Sequence, residues 1–485
     1  MHFEAIKTKQ ERKFLPDDII KAFEERKEVD LRDSFLETLN IAQNIKDKGG
    51  QAFLVGGSVR DLFFNKFPKD FDLEVYRLSG DEIKETLKNY KISEVGSNFG
   101  VLKLFLDNGL DIDVSLPRKD NKTGQGHKGF SIETNPNLSF EDALKRRDFT
   151  INAMLLDPLT GEIIDPYKGK EDIENRILRV VDANTFKEDP LRVLRGVQFL
   201  GRFGLKIEDE TLRIFKEMIP NLKELPSERI GEEWKKLLLR AEKPSLGLSL
   251  AMNLGVFHEI YPGFIKSDQA KQNTEGDAWI NTLTTVDETA KVCRECNLNE
   301  EKSLTLLFSA LCCNLERNNT STLIKDIGLR DEIKKKILKL VEHHTLPSLW
   351  YQAETIKDGS FRKLAKNIYP ANMMELGLLA QAHENGNIKN YEKIKGRDVF
   401  NWFTKKATDL NIIKSIPENI ITGKDLLELG IKPSPLYGEI IKVSNNLRDE
   451  RGFNREMILN VIRANPENIL TALNEKQESR NPKES

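Results

Sequence analysis

The sequence predicts an α+β protein, with a mixed α/β head followed by an all-helical neck, body and tail. Three observations carry this reading. From Gly49 to about Ile164, short apolar runs of strand length alternate with helical pieces. After about Asp182 the pattern is helical almost to the end. Turn signals such as Ile219-Pro220-Asn221 and Tyr261-Pro262-Gly263 cut that later part into separate amphipathic runs.

Taken in order, residues 1–48 read as a helical extension ending at Gly49-Gly50. Residues 49–181 form the head. In it, strand Ala52–Val55 runs into a tight turn at Gly56-Gly57, and a helix starts near Val59. Further strands are expected at Phe71–Tyr76, Val101–Phe105, Leu110–Val114 and Asn152–Leu156. Residues 182–245 read as the neck, 246–350 as the body and 351–475 as the tail, with a polar, disordered end at 476–485. There is no internal repeat.

Bulk properties set limits. The 485 residues are 39% hydrophobic and 31% charged, as in a soluble globular protein. No run approaches the ~18 apolar residues of a membrane span, and the N-terminus lacks the apolar core of a signal peptide. Four cysteines make no disulfide scaffold, so a cytoplasmic location is expected. The net charge of −2 means that any surface for nucleic acid must be local. From Arg176 to Lys206 seven basic residues (Arg176, Arg179, Lys187, Arg192, Arg195, Arg202, Lys206) stand against three acids (Asp182, Glu188, Asp189), a local +4. A solvated helix face would look the same.

The head carries the chemistry. Gly56, Gly57 and Ser58 sit where a strand meets a helix, a place where backbone N–H groups attract phosphate, and Arg60 adds a positive fork. Tight turns also need glycine, so the turn alone is weak evidence. Asp70 and Asp72 follow with one residue between them, which on a strand puts both carboxylates on one face. Like charges that close repel unless a cation lies between them. A pair of Mg²⁺ ions there would activate a hydroxyl and neutralise a leaving pyrophosphate. Asp111 and Asp113 repeat the spacing. Asp111 reads as a surface residue near a turn, while Asp113 is equally a third catalytic carboxylate or a surface residue.

Gly56-Gly57-Ser58-Val59-Arg60-Asp61 followed by Asp70-Phe71-Asp72 resembles the polymerase-β nucleotidyltransferase superfamily. The run Arg146-Arg147-Asp148-Phe149-Thr150-Ile151-Asn152-Ala153-Met154 narrows the resemblance to bacterial and eukaryotic CCA-adding enzymes and their poly(A) polymerase relatives. Asp157 to Gly161, Asp165-Pro166, Glu188 to Arg192, Glu228-Arg229-Ile230, Gly423 to Leu426 and Pro433 to Gly438 match in the same order. The resemblance implies metal-dependent addition of C and A from CTP and ATP to the 3′ end of tRNA, with Asp70 and Asp72 as metal ligands. It implies that Arg147 and Asp148 contact sugar or triphosphate, that Asp189 and Arg192 read the base, and that Arg195 assists. Poly(A) addition, a partial CC-only or A-only activity and an inactive RNA-binding protein are the alternatives.

Physical reasoning agrees on the base. Asp189 can only accept hydrogen bonds and Arg192 can only donate. Cytosine and adenine each offer an amino donor beside a ring acceptor, whereas uracil and guanine reverse the pattern. Asp189 before Pro190 could equally cap a helix. Where relatives carry a further arginine, this chain has Gln198.

Gln269 to Glu316 resembles an HD phosphohydrolase domain that has lost its ligands, with Asn273, Asn281, Cys313 and Asn314 at their places beside a surviving Glu275-Gly276-Asp277. The pairs His343-His344 and Cys293/Cys296 read as helix residues more readily than as metal sites. Residues Lys393 to Lys406 could touch tRNA or simply pack.

Overall fold

The computed structural model describes residues 14–68, 70–95, 101–106, 108–122, 130–262, 275–315, 317–353, 355–386, 398–465 and 470–471. The chain divides into two compact units, residues 1–237 with 246–260, and residues 238–245 with 261–485.

In the first unit, helices α1 (Pro16–Arg26) and α2 (Val29–Asp47) precede strand β1 (Gln51–Val55), helix α3 (Gly57–Phe63) and strand β2 (Phe71–Tyr76). Helix α4 (Gly80–Thr86) leads into β3 (Lys91–Val95), β4 (Val101–Phe105), β5 (Asp111–Ser115) and a hairpin of β6 (Arg118–Lys122) with β7 (Phe130–Thr134). Helix α5 (Phe140–Lys145) and a short 3₁₀ turn at Thr150–Asn152 precede β8 (Leu155–Leu156) and β9 (Ile163–Ile164). The main sheet has the order β3-β4-β5-β2-β1-β8-β9, and within it only β2 and β5 run parallel.

Alternation along β2 decides what each face of the sheet does. Phe71, Leu73 and Val75 point to one side, where Phe71 meets Phe35 of α2 at 5.4 Å and Phe23 of α1 at 6.2 Å. The N-terminal helices therefore close the back of the sheet. Asp72, Glu74 and Tyr76 point to the other side, towards the buried cluster of Phe53, Val55, Ala143, Leu144, Ala153 and Leu155.

Two expectations shift. The helix after the glycine turn starts at Gly57 rather than near Val59. The strand expected at Asn152–Leu156 shrinks to β8, because Asn152 belongs to the 3₁₀ turn and its amide bridges Asp148 and Arg60.

The same unit continues with α6 (Gly169–Glu174), β10 (Ile177–Leu178), α7 (Ala183–Phe186), α8 (Leu191–Phe203) and β11 (Lys206–Ile207). Then follow α9 (Asp209–Met218), α10 (Ser227–Arg240), α11 (Pro244–Leu254) and α12 (Val256–Ile260). Helix α8 approaches its neighbours closely. A Cβ on Gly196 would lie 2.3 Å from the Phe215 ring, so glycine is required inside this helix.

The second unit is helical. Helix Glu300–Cys312 buries Leu306, Leu307, Phe308 and Ala310, and helices Glu275–Glu295 and Met373–Gly386 pack beside each other. Cys293, Cys312 and Cys313 are buried, and burial pushes the Cys293 thiol up to about 11 and Cys312 up to about 12. Asn314 donates to Thr282 Oγ1 at 2.8 Å, joining two helices. Asn273 and residues 393–397 lie outside the described residues. Helix Val399–Asp409 buries Val399, Phe403 and Ala407, and Trp402 meets Phe361 and Tyr351 edge-on, so these aromatics are packing residues. The C-terminal part has its own core around Ile421, Leu426, Ile440, Leu447, Ile458 and Ile462. Among the described residues, no helix is long and apolar enough to cross a membrane.

Candidate active site

The glycine turn joins the end of β1 to the start of α3. Gly56 has φ 67° and ψ −119°, a backbone region closed to other residues, and a Cβ there would sit 2.9 Å from Arg147 Nη1. The turn thus requires glycine for its conformation and for the arginine lying over it. Ser58 donates its hydroxyl to the Val55 carbonyl at 2.8 Å and fastens the strand end to the helix start. The backbone N–H groups of Gly57, Ser58 and Val59 belong to the first helical turn, which has no carbonyls behind it to accept them.

Three carboxylates gather beside this turn. Asp70 is exposed just ahead of β2, and Asp72 follows on the strand. Parallel pairing sets Asp72 opposite Asp113 of β5, and antiparallel pairing sets Asp113 opposite Lys103 of β4. Lys103 Nζ lies 2.9 Å from Asp113 Oδ1 and also pairs with Asp111. Both contacts raise the Lys103 pKa and hold it charged. Asp113 therefore stands next to Asp72, and Asp111 is the exposed partner of a lysine. Burial and then the charges of Asp113 and Asp70 push the Asp72 carboxyl up to about 6, against the opposing pull of Arg147 and Lys103.

Burial and two neighbouring carboxylates thus disfavour the charged form of Asp72, a cost that a cation at the site would offset, and oxygen-only donors suit a hard divalent cation. Among the described residues no group of three or more His, Cys, Asp or Glu forms a ready-made cage. Asp113 is held by Lys103 instead. Asp70 and Asp72, with Asp113 beside them, fit an ion that arrives with its own ligands, such as a triphosphate.

The expected arginine fork at Arg60 is placed differently. Its Nε and Nη2 bind Asp61, at 2.8 and 2.6 Å, and its Nη1 donates to Asn152 Oδ1 at 2.8 Å. Its plane lies over Phe199 and Phe203, both at 4.9 Å. At 6% exposure it joins α3 to α8 rather than facing solvent. The physical reason is a nearby acid and two aromatic faces, which a planar guanidinium satisfies better than open water does. Arg195 likewise pairs with Asp148, Nε to Oδ2 at 2.7 Å. Burial would push the Asp148 carboxyl up, but Arg195 and the Asn152 amide hold it down to about 2.

Asp189 and Arg192 end at the start of α8. Asp189 uses its two oxygens separately: Oδ1 accepts from the Leu191 N–H at 3.1 Å, and Oδ2 accepts from Arg229 Nη2 at 2.9 Å. The helix-start contact and the ion pair with Arg229 therefore coexist in one side chain. Arg192 donates from Nη1 to the Thr185 carbonyl and from Nη2 to the Arg146 carbonyl, both at 2.6 Å. These two bonds fix the guanidinium plane and leave the remaining N–H donors of a five-donor group. Gln198 is buried between Glu233 and Arg202, at 3.2 and 2.9 Å, so it serves the interior of this unit.

Sequence reasoning missed Glu74 and Lys103. Glu74 is fully buried on the same strand face as Asp72, and the alternation that singled out Asp70 and Asp72 extends to it. Lys103 could not be found locally, since only the strand order brings it to Asp113. In the second unit, a cleft of about 700 Å³ is lined by Lys357, Arg362, Arg448, Arg451 and Arg455 together with Asp358, Asp449 and Glu450.

Comparison with known proteins agrees with this geometry. Residues 52–179 match the family described as "Poly A polymerase head domain", and 204–267 match "Probable RNA and SrmB- binding site of polymerase A". The multifunctional CCA protein of Actinobacillus pleuropneumoniae serotype 5b is 33% identical over 286 residues, covering 57% of this chain and 66% of that protein. The chain thus spans just under two thirds of that relative's length. The multifunctional CCA protein of Aliivibrio salmonicida is 32% identical over 319 residues, covering 61% of this chain and 75% of the relative. Among solved structures, the Bacillus stearothermophilus CCA-adding enzyme in complex with CTP superposes with a TM-score of 0.64 at 22% identity, over 92% of this chain and 98% of that one. The Thermotoga maritima CCA-adding enzyme complexed with tRNA_CCA gives 0.60 at 19%, over 88% and 94%. These two share the fold. With the ordered motifs in place on that fold, and a relative matched over three quarters of its length, the chain belongs to the CCA-adding enzyme and poly(A) polymerase family of nucleotidyltransferases.

Proposed function

We propose that the chain adds C and A nucleotides to the 3′ end of tRNA in the cytoplasm, without a nucleic-acid template, from CTP and ATP and with release of pyrophosphate. One observation carries the reading. The carboxylate face at the Gly56 turn and the rigidly held Asp189–Arg192 pair occur together in one compact unit. The names of the relatives, and the CTP and tRNA recorded with the solved structures, support the same substrates.

In this reading the RNA 3′-oxygen forms a bond to the α-phosphorus, the bond to the bridging oxygen breaks, and pyrophosphate leaves. Asp70 and Asp72, with Asp113 alongside, would hold two Mg²⁺ ions, which supply charge neutralisation and a more acidic hydroxyl. The glycine turn and Arg147 receive the triphosphate. Arg60, Asn152, Asp148 and Arg195 form the buried frame behind them, through which Arg60 and Arg195 act on the nucleotide at second hand. Asp189 accepts from the N4 amine of cytosine or the N6 amine of adenine, while Arg192 donates to the neighbouring ring nitrogen. Uracil and guanine leave donor facing donor and acceptor facing acceptor, at ~1–3 kcal/mol per unmatched group. Residues 182–245 are assigned base recognition and 351–475 tRNA binding.

Asp70→Ala and Asp72→Ala test this. Each is expected to abolish nucleotide addition while leaving the protein folded and tRNA binding near wild type. Addition near the wild-type rate in either variant would sink the assignment.

A further inference from the structure

We infer that Glu74 is a positioning residue for the proposed reaction: its buried carboxylate holds Arg147 over the Gly56 turn, where the triphosphate is received. The inference rests on the function proposed above and adds a residue to it.

The geometry is as follows. Glu74 is 0% exposed, one alternation deeper along β2 than Asp72. Its Oε1 accepts from the Tyr76 hydroxyl at 2.7 Å. Its Oε2 lies 3.3 Å from Arg146 Nη2 and 3.6 Å from Arg147 Nη2. Arg147 in turn reaches over Gly56, with Nη1 at 2.9 Å from where a Cβ would be, and its Nε is buried without a hydrogen-bond partner. Two guanidiniums thus share one buried carboxylate. A buried N–H lacking an acceptor is costly unless something arrives to accept it. An anion at the turn is such an acceptor.

A buried carboxylate with this arrangement has a double effect. It holds the Arg147 plane in one orientation, and it neutralises enough of the arginine pair to let both be buried. Without it, two desolvated cations would face each other behind the turn and move apart. Arg147 would then leave the turn while Asp72, on the strand, stayed in place.

The expected consequence falls on the triphosphate, which CTP and ATP share, and not on the base. Glu74→Gln keeps the shape and an acceptor for Tyr76 but removes the charge. It should weaken CTP and ATP binding equally, by about tenfold, the scale of one misplaced charge-assisted hydrogen bond. Glu74→Asp, which retains the charge, should recover part of that loss. Arg147→Lys should weaken binding similarly, and the double variant should be no worse than the worse single one, since the two residues act through one contact.

The measurement is calorimetric binding of CTP and of ATP with Mg²⁺ to the full chain, alongside KM and kcat on tRNA lacking its CCA end. Equal losses for both nucleotides, a raised KM, a kcat within about threefold of wild type and coupling to Arg147 support the inference. Unchanged nucleotide binding in a folded Glu74→Gln variant overturns it. So does a lowered kcat with KM unmoved, which is the mark of a smaller folded fraction, or a loss confined to one base. Because binding is read directly, a wild-type protein that binds nucleotide but transfers none would count against the proposed reaction and leave Glu74 judged on its own.

Discussion

If the proposed function holds, replacing Arg192 by alanine removes the donor half of the base-reading pair. In the structure its guanidinium is fixed by bonds of 2.6 Å to the carbonyls of Thr185 and Arg146, so its remaining donors are aimed before any nucleotide arrives. A hydrogen bond from a charged group to an otherwise matched partner contributes about 1.5–3 kcal/mol. Loss of one such donor should narrow the preference for CTP over UTP, and for ATP over GTP, by roughly 10- to 150-fold in kcat/KM. Arg192→Lys should show most of the same loss, because an ammonium cannot bind two carbonyls in a plane and still present a donor to the base edge. The assay compares kcat/KM for all four nucleotides on tRNA lacking its CCA end, with tRNA affinity measured separately. If every nucleotide slows by one factor and the ratios stay fixed, Arg192 is a strut between α8 and the two carbonyls, and the base-reading account fails.

Other outcomes follow from the same geometry. Asp72 has a native pKa of about 6 against about 3.9 unfolded, so the native state binds the extra proton between those values and loses stability as pH rises through 6. Asp72→Asn removes that penalty. Without divalent cation it should be more stable than wild type at pH 7.5, by about 1–3 kcal/mol, with the gap closing towards pH 4. Mg²⁺ should stabilise the wild type more than the variant, and chemical denaturation across pH reads both effects. In the second unit the His383 ring meets His344 edge-on at 4.7 Å, and burial followed by the His344 charge pushes it down to about 4. Its contribution is therefore complete above pH 6.5 and lost as pH falls towards 4, up to about 3 kcal/mol. A His383→Phe variant should flatten that acid limb of the denaturation profile, and an unchanged limb would refute the buried-neutral reading. In the tail, Arg451→Glu should weaken tRNA binding for any tRNA sequence and reduce the salt slope of log K by about 1. An unchanged slope would remove the basic cleft from the tRNA surface.

The parts of the fold legible from sequence were those with local apolar alternation. Strands β2, β4 and β5 could be placed this way because each turns alternate apolar residues to a core, and β1 because it is a continuous apolar run buried on both faces. The edge strand β3 is half polar, and β6 reads Arg-Lys-Asp-Asn-Lys, so neither carries a hydrophobic signal. The site divides in the same way. Asp70, Asp72 and the glycine turn lie close together in the chain and could be linked by spacing. The adjacency of Asp72 and Asp113 depends on the parallel β2–β5 pairing, which no local pattern encodes. Where Arg60 sits depends on the same kind of distant contact. Its partner Asn152 is 92 residues away, and an arginine beside a phosphate-type turn looks solvent-facing until that contact is known. The clustered arginines of α8 are largely turned inward onto Asp148, Gln198 and backbone carbonyls, which a charge count along the chain does not reveal.

The central claim is that this chain builds a C-C-A end on tRNA. Its most direct test supplies purified protein with three tRNA substrates, lacking the whole CCA end, its last CA or only the final A, with each nucleotide singly and with CTP and ATP together, and sequences the products. The account predicts C on the first two, A on the third, a complete CCA from the mixture and then arrest, with UTP and GTP unused. Long A tails would identify a poly(A) polymerase, products stopping at CC or starting only from CC would identify a partial enzyme, and no extension of any substrate would contradict the account outright.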